Sequence, residues 1–106
     1  MIYDYAQYAP LFKALADETR LKIIDMLSCG EMCACIILES FNITQPTLSY
    51  HMKILCDSGL VTGRRDGIWM IYSINSELIE NISAFLTIIK SDKDECICKY
   101  EGNSEG

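Results

Sequence analysis

A pair of helical segments with almost no chain between them constrains the fold of this sequence more than any other feature. The first segment is predicted over residues 32–41. The second follows the capping residue Thr44, has Pro46 in its first turn, where a missing N–H costs nothing, and ends at Gly59. Because only residues 42–43 separate the segments, the helices must pack against each other as a helix-turn-helix unit.

A β-hairpin is predicted immediately after this helix pair. Extended segments over residues 60–65 and 68–74 flank Asp66-Gly67, which is a strong signal for a two-residue turn. In the second segment, apolar side chains alternate at Ile68, Met70, Tyr72 and Ile74. The hairpin would form a wing beside the helix-turn-helix unit.

Three further helices are predicted from apolar residues at helical spacing. The first helix has the apolar stripe Tyr5, Tyr8, Phe12 and Leu15. The second follows the cap Asp17 and has the stripe Leu21, Ile24 and Leu27. The last follows the cap Ser76 and has the stripe Ile79, Ile82, Leu86 and Ile89. The expected fold is mainly α with a small β-hairpin, a winged helix-turn-helix over residues 1–92 with a flexible acidic tail at 93–106. The first and last helices either form a dimer interface or pack within one subunit.

Composition and charge limit the class of protein. Half of the residues are hydrophobic and 23% are charged, as in globular domains. The longest apolar run, residues 32–38, is too short to span a membrane, and no early basic cluster marks a secretory signal, so a soluble cytoplasmic domain is expected. The net charge of −6 argues weakly against nucleic acid, but residues 44–73 carry a net +1 between two acidic flanks.

The exposed face of the second helix of the pair is a candidate DNA-reading surface. Its polar or partly polar residues are Gln45, Thr47, Ser49, Tyr50, His51 and Lys53. We favour Gln45, Ser49 and Tyr50 for base contacts, because the N-terminal residues of a recognition helix usually reach the bases, and Lys53 for phosphate. An ordinary solvated helix face would show the same spacing. His51 suits a packing or hydrogen-bonding role better than that of a metal ligand.

Two arginines precede the predicted turn. Arg64 and Arg65 would touch phosphate or the minor groove at the tip of the wing. Alternatively, they protect the edge of a solvated hairpin.

The six cysteines include two C-x-C pairs, and cytosolic thiols stay reduced, so metal binding or redox sensing is favoured over structural disulfides. Cys33 and Cys35 would point about 200° apart on a regular helix. One metal ion could therefore use both only by distorting the helix start, and the strain would reach the DNA-reading helix. Alternatively, both are small buried apolar residues.

The remaining cysteines have less defined expectations. Cys96 and Cys98 lie in the acidic tail, where reactivity or metal binding is a better explanation than burial. Cys29 is a potential neighbour of Cys33, and Cys56 suits a packing role. An enzyme is not expected, because no C-x-x-C occurs in a βαβ pattern and the lone His51 has no evident nucleophile partner.

Four consecutive motifs resemble the ArsR/SmtB-type metal-sensing repressors over roughly residues 10–75. They are FKALADETRL at residues 12–21, EMCAC at 31–35, QPTLSYHM at 45–52, and a wing with GLV at 59–61, RRDG at 64–67 and Tyr72. The CICK run at residues 96–99 also resembles the tail of some arsenical resistance operon repressors, the subgroup that matches best.

This resemblance implies a homodimeric repressor that has no permanent cofactor. Such proteins bind double-stranded operator DNA and leave it when As(III) or Sb(III) binds the cysteines that correspond to Cys33 and Cys35. Soft thiolates suit these centres. As(III) prefers three sulfurs, and the third donor is open among Cys96, Cys98, Cys29 and a small-molecule thiol, since Leu38 stands where some arsenic sensors have another cysteine.

Two alternatives stay open on the same fold. A cadmium/lead-responsive repressor is less favoured, because such sensors add cysteines from an N-terminal arm and residues 1–28 contain none. In a redox-responsive repressor, the C-x-C pairs would form disulfides without metal. Zinc, nickel and cobalt sensors of the family use Asp/His pairs on the last helix, and residues 76–89 contain no histidine.

Overall fold

The computed structural model describes residues 4–91 and has five helices and three strands in this part of the chain. In chain order these are α1 (Tyr5–Leu15), α2 (Glu18–Leu27), β1 (Met32–Cys33), α3 (Ala34–Glu39), α4 (Gln45–Ser58), β2 (Val61–Asp66), β3 (Trp69–Ile74) and α5 (Ser76–Lys90). None of the helices in residues 4–91 is long and apolar enough to cross a membrane.

The helix-turn-helix prediction is confirmed, with α3 and α4 as its two helices. The Thr44 hydroxyl caps α4 by accepting a hydrogen bond from the backbone N–H of Thr47 at 3.3 Å. Gly59 ends the helix in a left-handed conformation with a φ of 88°, which favours glycine. Leu48, Met52 and Leu55 are buried, so the predicted apolar face of α4 packs into the core.

The predicted start of the preceding helix is wrong. Met32 and Cys33 are extended and form β1, which pairs antiparallel with β3 through Met32↔Tyr72 and Cys33↔Ile71. Cys33 is instead the N-cap of α3, and its sulfur accepts a hydrogen bond from the backbone N–H of Cys35 at 3.2 Å. Strand pairing with residues some 40 positions away overrides the local helical pattern, so the wing is a three-stranded sheet in the order β1-β3-β2.

The hairpin is present with a turn one residue later than predicted. Asp66 pairs with Trp69, so Gly67 and Ile68 form the turn, and Gly67 has a φ of 66°. Ile68 is 81% exposed at the tip and does not share the half-buried face of the later apolar residues in β3. A Cβ atom at Gly63 in β2 would lie 2.7 Å from the Met70 methyl group, so a larger residue there would require the end of the Met70 side chain to move.

Helices α1 and α5 pack against each other within the subunit. Tyr8 stacks on Phe85 with ring centroids 4.4 Å apart, and Phe12 lies 6.1 Å from the same ring. Asn75, not the predicted Ser76, caps α5 through a hydrogen bond from the backbone N–H of Leu78. The aromatic stripe of α1 therefore packs against α5 of the same chain.

An apolar groove remains open on the other side of α5. Leu21, Leu86 and Ile89, which belong to the predicted apolar stripes, are 52%, 47% and 54% exposed. The neighbouring buried residues Ile23 and Phe85 form the core contacts in their place. We call this the α2–α5 groove; its apolar lining residues are Leu15, Leu21, Ile24, Ile79, Ile82 and Leu86.

Asp17 caps α2 as predicted, and this contact makes an expected contribution to stability. Its carboxylate accepts a hydrogen bond from the backbone N–H of Arg20 at 3.0 Å, and this bond is the main cause that lowers the pKa of Asp17. Because the folded-state pKa is depressed, the contribution is complete above the unfolded pKa of about 4 and disappears as the pH falls through the folded value.

Replacing Asp17 with alanine should lower the free energy of unfolding by about 1 kcal/mol at pH 7. Urea titrations of the wild type and D17A between pH 7 and pH 3 should show the difference shrinking below about pH 4. D17N is the matched control, because asparagine caps a helix without titrating. A difference between D17A and the wild type that is the same at all pH values would contradict this role.

Candidate nucleic-acid interface and cysteine site

The outer face of α4 carries five of the six predicted DNA-binding residues of that helix in exposed positions. These are Gln45, Thr47, Ser49, Tyr50 and Lys53. Tyr50 is 61% exposed although it is large and aromatic. The Lys53 ammonium donates to the Asp57 carboxylate at 3.1 Å, one turn further along the helix. The N-terminal part of the face is thus polar and accessible, whereas the lysine further along already has an anionic neighbour.

His51 lies between α4 and the preceding helices. Its side chain is only 12% exposed. The Arg20 guanidinium lies 2.9 Å from Nδ1, and because arginine is always protonated, Nδ1 must be the acceptor. Arg20 also donates to the carbonyl oxygen of Ala14 at 2.6 Å. This geometry supports the packing and hydrogen-bonding role of His51, and its DNA contact stays a prediction.

Arg20 is a structural residue that the sequence reasoning missed. Its two hydrogen bonds join the end of α1, the start of α2 and the middle of α4. Its partner His51 is 31 residues away, and no local pattern marks such a pair.

Arg64 of the wing is bound to Glu31, the residue just before β1. Two guanidinium nitrogens donate to the two carboxylate oxygens at 2.8 and 2.9 Å, in the bidentate geometry that arginine favours. The Ser73 hydroxyl donates to the same carboxylate at 3.3 Å. The hydrogen bond from Arg64 is the main cause that lowers the pKa of Glu31 and raises the pKa of Arg64.

A groove of about 390 Å³ lies between the cysteine pair, the start of α4 and the wing. Its lining includes Cys33, Cys35, Gln45, Ser49, Arg65 and Trp69. Residues predicted separately to bind an inducer and to read DNA therefore border one space. The short α3 brings them together, because its six residues place the cysteines close to the start of α4.

The sulfurs of Cys33 and Cys35 are adjacent and joined as a disulfide, with Cα atoms 5.3 Å apart. Cys33 is half-buried and Cys35 is exposed, so the alternative that both are buried packing residues is wrong. The expected conflict between the two side-chain directions is also wrong. Because Cys33 is extended and only Cys35 is helical, both sulfurs face one point without any unwinding of α3.

The other cysteines differ in their environment. Cys29 is free and exposed in the turn after α2. Cys56 is partly buried against the core, as predicted, and burial, followed by the Asp57 charge, raises its pKa. Cys96 and Cys98 lie outside the described residues. Within residues 4–91, no group of three His, Cys, Asp or Glu residues is placed to hold a metal ion.

Comparisons with known proteins identify the family of the chain. Residues 17–62 match the family model described as "Bacterial regulatory protein, arsR family". The chain is 46% identical over 96 residues to the arsenical resistance operon repressor of Staphylococcus aureus, covering 91% of this chain and 92% of that protein.

Two solved structures share the fold. An ArsR family transcriptional regulator superimposes with a TM-score of 0.77 at 26% identity, covering 88% of this chain and all of the other. The homodimeric winged helix-turn-helix DNA-binding domain of a possible ArsR-family regulator from Mycobacterium bovis gives 0.67 at 32% identity, covering 80% of this chain and 79% of the other. The chain therefore belongs to the ArsR family of bacterial regulatory proteins.

Proposed function

We propose that this protein is a repressor that binds operator DNA as a homodimer and releases it when As(III) or Sb(III) binds Cys33 and Cys35. The observation that carries the proposal is the pair of adjacent sulfurs at the border between β1 and α3. One of these cysteines belongs to a strand of the wing sheet, and the other lies at the start of the helix-turn-helix unit. A ligand that holds both sulfurs therefore acts on two DNA-binding elements.

The proposed DNA surface consists of the exposed face of α4 and the wing. Gln45, Ser49 and Tyr50 would read bases, while Thr47, Lys53 and the wing would contact phosphate or the minor groove. Exposure of these α4 residues, the buried opposite face and the adjoining wing support this assignment. With two-fold symmetry, the operator would be an imperfect palindrome with half-sites spaced by about one helical turn or a multiple of it.

The inducer assignment rests on the chemistry of the donors. Thiolates favour soft, thiophilic centres, and the 46% identical S. aureus protein is named an arsenical resistance operon repressor. The third sulfur would come from Cys29, from Cys96 or Cys98 of either subunit in a dimer, or from a small-molecule thiol. Release requires that the inducer bind the DNA-incompetent state more tightly, since equal affinity would shift nothing.

A second copy of the chain is the proposed occupant of the α2–α5 groove. The groove is apolar and open, and the M. bovis neighbour with this fold is homodimeric. The sequence suggested dimerisation through the first and last helices. The groove agrees with this suggestion in using α5 and Leu15 at the end of α1, and it adds α2. We propose that the dimer acts in the cytoplasm, where operator DNA is.

A redox-responsive repressor is the second candidate, favoured by the placement of the Cys33 and Cys35 sulfurs as a disulfide. Oxidation of the pair would then take the place of inducer binding, with no metal required. A third hypothesis is a cadmium/lead-responsive repressor of the same fold, which would use the same two thiols.

Fluorescence anisotropy of the reduced protein on its own promoter DNA tests the proposal. Arsenite, antimonite, cadmium, zinc and peroxide are added in separate titrations. Release by arsenite or antimonite at the lowest concentration supports the proposed inducer. Release by cadmium alone moves the assignment to the cadmium/lead class, and release by peroxide alone moves it to the redox class. A protein that binds no DNA would overturn the repressor function.

Replacing Gln45 with alanine should relax sequence preference. Each good bidentate base contact is worth about 1–3 kcal/mol, so the ratio of operator to random-DNA affinity should fall about 5- to 150-fold per half-site. Competition binding with operator and scrambled duplexes measures this ratio. K53A is the matched control on the same face and should weaken both duplexes to a similar extent. An equal loss on both duplexes for Q45A would rule out base readout by Gln45.

A further inference from the structure

The two consecutive arginines of β2 lie on opposite faces of the wing sheet. Side chains alternate along a strand, and the register pairs Arg64 with Ile71 and Arg65 with Met70. Gly63, which shares the face of Arg65, would place a Cβ atom against the Met70 and Tyr72 side chains. Arg65 therefore belongs to the face that carries Met70 and Tyr72, and Arg64 belongs to the other face.

The face of Arg65 adjoins the recognition helix. Arg65 lines the groove together with Gln45 and Ser49 at the N-terminal end of α4, and Cys33 and Cys35 border the same groove. Its side chain is exposed, and within residues 4–91 no carboxylate forms a salt bridge with its guanidinium. The N-terminal end of α4 is the part proposed to read bases. The unpaired guanidinium of Arg65 beside it suits a contact with the DNA backbone.

The face of Arg64 adjoins the strand that carries Cys33. Cys33 pairs with Ile71 and Ile71 pairs with Arg64, so the three residues form one row across β1, β3 and β2. If the β1 register is extended by one residue, Glu31 falls opposite Ser73, and the Ser73 hydroxyl does donate to Glu31. The bidentate Arg64–Glu31 pair then spans the sheet from the strand of the cysteine to the outer strand of the wing.

We infer that the two wing arginines have different roles: Arg65 contacts DNA phosphate, whereas Arg64 is a positioning residue that ties the Cys33 strand to the wing through Glu31 and transmits inducer binding to it. This inference rests on the proposed function. Two guanidinium nitrogens of Arg64 bind both carboxylate oxygens of Glu31, so we expect a displacement of β1 to shift Arg64 and the strand β2 that carries it. Both partners are half-exposed, with side-chain accessibilities of 54% and 49%, so the pair's effect on coupling is expected to be only about two- to fivefold.

The test measures two quantities for each variant of the full chain. The first is the slope of log Kd for operator DNA against log salt concentration. The second is the release ratio, which is the Kd with saturating arsenite divided by the Kd without it. R65Q should lower the magnitude of the slope by about 0.9 for each phosphate that is no longer neutralised, or close to 2 for a dimer, and leave the release ratio unchanged. R64Q and E31Q should leave the slope unchanged and lower the release ratio about two- to fivefold.

Rescue by charge reversal separates a specific pair from general damage to the fold. The double variant E31R/R64E restores the opposite charges, and its release ratio should recover most of the decrease seen in E31Q and R64Q. Thermal unfolding shows whether each variant is folded. The inference is overturned if R64Q lowers the salt slope as R65Q does, if R64Q and E31Q keep the wild-type release ratio, or if the double variant shows no recovery. Wild-type protein that does not bind DNA or respond to arsenite instead overturns the proposed function.

Discussion

Replacing Cys33 with serine is expected to abolish the release of operator DNA by arsenite while leaving DNA affinity without arsenite close to that of the wild type. A serine hydroxyl is a hard donor and a poor ligand for a thiophilic centre. Serine is also among the best N-cap residues, so C33S keeps the cap of α3 that the cysteine sulfur provides. The release ratio, which for coupled sites is typically about 5 to 150, should fall to about 1. C35S should behave in the same way.

Anisotropy titrations with arsenite, in the presence of a reductant, measure this effect. C56A is the matched control, because it removes another thiol, which packs against the core and does not line the groove, and it should keep the wild-type response. Loss of DNA binding in C33S without arsenite would point to a structural role for the sulfur. A normal arsenite response in both C33S and C35S would exclude these cysteines as the inducer site.

The second large effect is expected from a charge in the α2–α5 groove. L86E should convert the dimer into a monomer and weaken operator binding by about 100-fold or more, because linked binding of two half-sites gains this order of avidity. Leu86 is 47% exposed in the subunit, so glutamate there should leave the fold of the monomer intact. Burying an unpaired carboxylate in a dimer interface is strongly unfavourable.

Sedimentation velocity measures the oligomeric state, and the same samples are then titrated against operator DNA. I36E is the matched control, because Ile36 is also 47% exposed and lies on α3, away from the groove. It should remain dimeric. A wild type that sediments as a monomer, or an L86E protein that stays dimeric, would show that the groove is not the dimer interface.

The recognition helix is the element that could be predicted most completely from the sequence. All of its signals are local, and each is present in the structure. They are the cap Thr44, the proline in the first turn, the buried apolar stripe and the terminal Gly59. The order of helices and hairpin followed from signals of the same kind. The Asp17 cap did so as well, since an N-cap depends only on the next three residues.

The predictions that differ from the structure depend on residues far apart in the chain. The local sequence at Met32 and Cys33 predicts the start of a helix, but these residues pair with β3 and form a strand. For the same reason, helical geometry could not predict that the sulfurs of Cys33 and Cys35 point toward each other. The sequence also left open whether the stripe of α5 packs within the subunit, and the exposure of Leu86 depends on which side chains the neighbouring helices cover.

By itself, the sequence determined the helix-turn-helix, the presence of a wing and the residue types available for DNA and inducer, because caps, turns and apolar periodicity act over a few residues. Only the tertiary structure decided that β1 joins the wing sheet, that His51 faces Arg20, and that Arg64 is held by Glu31 while Arg65 borders the groove. The first three of these arrangements are contacts between residues more than 30 positions apart. Local preference leaves such contacts undetermined, and packing of the whole chain selects among them.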